Sequence, residues 1–117
     1  MTAIQDPAAI VQRHLDAYNG HDIEALLAVY GADARQFEHP APLLASGADQ
    51  IRARMTARFA DSALHARLLQ RVVMGNIVID HELITYGTPE GTAAAEAVAI
   101  YEIANGKIQS ASVKFTP

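Results

Sequence analysis

The stretch Glu96–Phe115, EAVAIYEIANGKIQSASVKF, constrains the fold of this chain more than any other. Two arms rich in Val, Ile and Ala flank Asn105-Gly106. That dipeptide accepts the positive φ values of a tight turn, so the stretch reads as two long strands of a hairpin. Neither arm holds an unbroken apolar run long enough to cross a bilayer. Upstream segments are then expected to supply further strands beside this hairpin and helices to cover it.

A chain of 117 residues suits one domain, 1–117, with one modest core. Half of it is apolar, which argues against disorder. The net charge is -4, and Arg52, Arg54 and Arg58 form the sole local basic cluster, so nucleic acid is not an expected partner. The absence of cysteine excludes disulfides and thiolate chemistry. The start MTAIQDPAAIVQRH lacks the basic-then-apolar pattern of a signal peptide, and no membrane span is expected. A cytoplasmic location is the expectation.

In chain order, Asp6-Pro7 suits the start of a first helix. Ala8, Val11, Leu15 and Tyr18 recur at helical spacing, with His14 beside that face. Asn19-Gly20 stops it. Asp22 caps a short second helix with Ile23, Leu26, Leu27 and Tyr30 as its stripe, ended by Gly31. ADARQFEHP reads as a short strand ended by Pro40, and 41–46 as a loop. A third helix starts at Ser46 or Gly47, where Ser46 and Asp49 have capping-box spacing. Ile51, Met55 and Phe59 form its inner stripe, and Arg52, Arg54 and Arg58 are expected to point outward.

Residues 64–74 and 77–86 read as strands about a Gly75-Asn76 turn, and GTPEGT as a loop before the hairpin. Helices segregated from strands argue for an α+β fold, with helices on one face of a curved antiparallel sheet. On 77–86 the odd positions Ile77, Ile79, His81, Leu83 and Thr85 are the more apolar, so this face is expected inside. In the next strand Ala95, Ala97, Ala99 and Tyr101 share the inner face, and such small residues leave a hollow. Val98 and Ile100 on the opposite face predict that the outer sheet surface is covered, most simply by a second copy.

The pattern VQRHLDAYNGHDIEALLAVYGADA, then FEHP, SGADQIRARM, GNIVIDHE and AIYEIANGKI resembles the SnoaL-like branch of the nuclear transport factor 2-like superfamily. The resemblance spans nearly the whole chain. It implies a cone-shaped, cystatin-like α+β barrel: a curved sheet around a deep pocket roofed by three N-terminal helices. It also implies a homodimer through the outer sheet face. Ketosteroid isomerases of this superfamily use an aspartate base and an oxyanion hole of a tyrosine and a protonated aspartic acid. The resemblance puts His39, before Pro40, at the base position, His14 at the tyrosine position and Ala99 at the acid position. With none of the three residue types kept, activity by that route is not implied.

His39 either shuttles a proton or is a turn histidine bonded to local backbone. His14 either donates to a developing oxyanion or is a boundary residue of its helix. His81 either faces a ligand or is a satisfied core histidine. Tyr18, Phe37, Met55, Phe59, Tyr101 and Phe115 either line a pocket or pack the core, and a buried Tyr101 hydroxyl needs a partner. No metal-ligand spacing joins the histidines, and neither a nucleophile motif nor a phosphate loop is present, so no metal or other cofactor is expected. Three readings remain. The first is cofactor-independent acid–base chemistry of the isomerase, dehydratase or cyclase kind on a small hydrophobic molecule. The second is binding without turnover, and the third is a dimeric interaction module.

Overall fold

A computed structural model describes residues 6–116. The order is α1 (Pro7–Asn19), α2 (Ile23–Ala28), β1 (Tyr30–Glu38), β2 (Leu43–Ser46), α3 (Ala48–Phe59), β3 (His65–Met74), β4 (Ile77–Thr88), β5 (Gly91–Ala104) and β6 (Lys107–Phe115). The strands form one sheet in the order β2-β1-β6-β5-β4-β3. The fold is α+β, with the helices over one face of this curved, mostly antiparallel sheet.

The hairpin is the sheet's centre. β5 pairs with β6 on one side and β4 on the other, and Asn105 (φ 56) and Gly106 (φ 73) make the turn with positive φ. The caps follow the local chemistry. The Asp6 carboxylate accepts from the Ala8 N–H at 3.0 Å, and the Asp22 carboxylate accepts from the Ala25 N–H at 3.1 Å. Asn19 ties α1 to the sheet. Its amide donates to the Ala66 carbonyl and accepts from the Ala66 N–H, both at 2.8 Å, acting as one more peptide in the ladder.

Four expectations are corrected here. Tyr30 opens β1 rather than closing α2, because α2 ends at Ala28. Residues 43–46 are strand β2, paired antiparallel to β1. The sheet is not wholly antiparallel, because β1 runs parallel to β6. The Ser46–Asp49 capping box is absent. Gly47 is the N-cap, and the Gln50 side chain reaches back to accept from the Ser46 N–H at 2.8 Å.

The inner face of β4 is also corrected, and this matters most for function. Val78, Asp80, Glu82 and Ile84 are the buried side, whereas the odd positions, His81 included, are half-buried on the outside. The register explains it. Asp80 pairs with Ala99 and Glu82 with Ala97, so odd residues of β5 share a face with even residues of β4. Ala97, Ala99 and Tyr101 are inside as expected, which forces the β4 acids inside with them. A bulge between Leu68 and Gln70 re-phases β3, so that Arg71 comes opposite Asp80.

Candidate functional site

The concave face encloses a cavity of about 70 Å³. α1 contributes His14, Leu15 and Tyr18, and α3 contributes Arg54, Met55 and Arg58. β1 supplies Tyr30, Gln36 and Phe37. β4 and β5 provide Glu82, Ile84, Ala99 and Tyr101, and β6 closes the wall with Ala111, Val113 and Phe115. Alanines at 99 and 111 are what keep this space open. The volume is well below the ~300–1,000 Å³ of drug-sized sites, and a water takes ~30 Å³, so the space suits a ligand of few heavy atoms.

Two acids stand two residues apart on β4 and are treated differently. Asp80 is 0 % exposed and bound by both arms of Arg71, at 2.7 and 2.9 Å. The described ion pairs are Arg71–Asp80, Arg52–Glu24 and His81–Glu96. Glu82, on the cavity wall, belongs to none of them. Burial, and then the Asp80 charge, lifts its carboxyl to about 7, with Arg71 pulling the other way.

On α1, His14 is buried and pushed down to about 4 by that burial, so it is neutral at neutral pH. A directed chain of hydrogen bonds ends on it. Arg54 donates to Gln36 Oε1 at 2.8 Å. Since arginine only donates, the Gln36 amide is oriented with its nitrogen toward Tyr30, to whose hydroxyl it donates at 3.0 Å. The Tyr30 hydroxyl then lies 2.8 Å from His14 Nε2. The His14 ring also meets the edge of Tyr101 at 5.1 Å between centroids. Burial pushes Tyr30 up to about 12 and Tyr101 well above its ordinary value, so both stay protonated donors. The Glu82 charge adds to the Tyr101 shift.

A model of the SnoaL-like domain matches residues 11–111, most of the chain. This chain belongs to the SnoaL-like family. Solved structures agree on the fold of this SnoaL-like domain. A cystatin-fold protein from Novosphingobium aromaticivorans superposes with TM-score 0.84 at 21% identity, covering 98% of this chain and 100% of its own. A nuclear transport factor 2-like protein from Cytophaga hutchinsonii gives 0.81 at 18%, covering 100% and 96%. An epoxide hydrolase of M. tuberculosis gives 0.79 at 12%, covering 94% and 82%. At such identities the likeness is one of fold. No curated protein matches the chain in sequence.

Of the residues singled out by sequence, the SnoaL-like domain brings His14, Tyr18, Phe37, Met55, Ala99, Tyr101 and Phe115 to the cavity wall. It does not bring His39, His81 or Phe59 there. His39 is exposed beyond the end of β1, its N–H donating to the Val113 carbonyl at 2.9 Å. His81 lies on the outer face, 3.3 Å from Glu96. Phe59 packs behind the wall, edge-on to Tyr18 and stacked on His21. Arg54 and Arg58 correct the outward expectation, since both are half-buried and border the cavity. Sequence reasoning missed Glu82. The available signal was its position opposite the alanine run, readable once the register of the two strands is known.

Proposed function

We propose that this SnoaL-like domain binds a small carbonyl compound in its cavity and moves a proton on it, with Glu82 as the acid–base group. The observation that carries this reading is a carboxyl outside every described ion pair on the wall of a small, mostly apolar cavity. A carboxyl that titrates near neutrality can both take and return a proton at working pH. Glu82 would accept a proton from carbon beside the carbonyl, the C–H electron pair would form a C=C bond, and the carbonyl π pair would pass to the oxygen. Tyr101, held protonated and braced by His14, is the donor for that oxygen. Return of the proton at another carbon gives isomerisation, and its delivery to a β-hydroxyl, which leaves as water, gives dehydration. Such chemistry needs no cofactor.

The test is hydrogen–deuterium exchange of small enolisable carbonyl compounds in D₂O, followed by NMR. Protein-dependent exchange that falls about 100-fold or more in Glu82→Gln supports the reading. Saturable binding with no exchange above buffer overturns it in favour of a binding module.

Homodimerisation through the outer sheet face is part of the proposal. Val72 is 42% and Met74 64% exposed there, continuous with half-buried Ile77, Ile79, Val98 and Ile100. Among the described residues, no helix is long and apolar enough to cross a membrane.

A further inference from the structure

Two arginines border the cavity, and among the described residues neither has an ion-pair partner. Arg54 and Arg58 lie one turn apart on α3 and both border the space. Arg54 is committed to the Gln36 carbonyl oxygen, and Arg58 donates to the Tyr18 hydroxyl at 2.9 Å. Both partners are neutral. Asp61 feels the Arg58 charge, but its two oxygens are taken by the Gly87 and Ala63 N–H groups at 2.9 and 3.0 Å. Neither arginine belongs to a described ion pair. Burial, and then the charge of Arg58, presses Arg54 below its ordinary value.

A half-buried pair of like charges whose hydrogen-bond partners are neutral is an incomplete arrangement. An anionic oxygen between them would remove the mutual repulsion and gain charge-assisted hydrogen bonds. The strands line the same space with Ala99, Ala111, Val113, the Tyr101 ring and, on β4, Glu82.

From this geometry we infer that the ligand is a small oxo acid, its carboxylate held by Arg54 and Arg58 and its carbonyl end turned toward Tyr101 and Glu82. This deepens the reading above by naming the substrate class, and it replaces the expectation of a purely hydrophobic molecule. The arginines select the ligand and fix its direction. The proton chemistry takes place at its other end.

The experiment uses the whole protein with acetoacetate and its uncharged amide, acetoacetamide. Binding is read from the amide NMR signals of Ala99, Ala111 and Val113, and C2 proton exchange from the ligand in D₂O. Acetoacetate is expected to bind at least about tenfold more tightly than the amide. Arg54→Met and Arg58→Met are each expected to erase that preference, and Arg58→Lys to keep part of it. The wild-type comparison needs no variant to fold. Equal affinity for the two probes, failure of acetoacetate to bind, or a preference that survives both Met substitutions overturns the inference. The two readings fail separately. Charge-selective binding without C2 exchange sinks the proton-transfer role of Glu82 and leaves the anion site standing. Exchange without charge selectivity does the reverse.

Discussion

Asp80 and Glu82 occupy the same buried face of β4, yet Arg71 grips Asp80 and leaves Glu82 to the cavity. The pair divides two tasks between two carboxylates. Asp80 anchors Arg71, which also donates to Gln12 of α1 at 3.0 Å. Glu82, short of compensation, holds its proton to about 7. A carboxyl lifted toward neutrality by burial and a neighbouring charge is a recurrent basis for acid–base roles.

Stability should therefore depend on pH through Glu82. Between its ordinary 4.5 and about 7, the folded chain keeps a proton that the unfolded chain has released. The stability linked to Glu82 is full below the lower value and is lost as pH rises through the upper one, on the order of 3 kcal/mol in all. Denaturant titrations should show Glu82→Gln more stable than wild type at pH 8, with the difference shrinking toward pH 4.

His14 acts in the opposite sense. Its folded value of about 4 lies below the ordinary 6.5, so its contribution is full above 6.5 and is lost as pH falls through about 4. In wild type the two slopes offset one another between 4.5 and 6.5. The Glu82→Gln variant should unmask a stability that rises with pH across this window, and a flat profile there would contradict a buried, neutral His14.

Arg71→Met should destabilise the domain by about 3–5 kcal/mol, because it strands a buried Asp80 carboxylate. Since Arg71 also lowers Glu82, the same substitution should move the Glu82 midpoint upward. Asp80→Asn should lower that midpoint, because the Asp80 charge raises it. NMR titration of the two variants checks both signs.

Tyr30→Phe should cost about 1–3 kcal/mol for each buried partner it strands, namely the Gln36 amide and His14 Nε2. Thermal unfolding reads the loss. A neutral outcome would mean that the Arg54–Gln36–Tyr30–His14 chain is not held as described.

On the outer face, Ile100→Glu should convert a dimer to a monomer in sedimentation at micromolar concentration. Sedimentation of the wild-type chain as a monomer would refute the dimer outright.

Much of the fold was legible because its signals are local. Asn105-Gly106 announces its hairpin by the φ values the dipeptide tolerates, and Asp6 and Asp22 announce helix starts by side-chain length. The inner face of β4 is not legible from the polarity of that strand alone. The β4–β5 register turns Asp80 inward and a bulge at 68–70 delivers Arg71 to it, and neither the bulge nor the pairing has a short-range signature. The inward position of Arg54 and Arg58 is likewise invisible to the periodicity of α3 alone. Their inward partners, Gln36 and Tyr18, lie on other elements. His14, Tyr101 and Ala99 reached the cavity wall because the helix and hairpin periodicities that placed them are local.

The most direct measurement is a carboxyl ¹³C NMR titration of Glu82. The account predicts a midpoint near 7, moved when acetoacetate occupies the cavity. A midpoint near the ordinary 4.5, unmoved by acetoacetate, would contradict it.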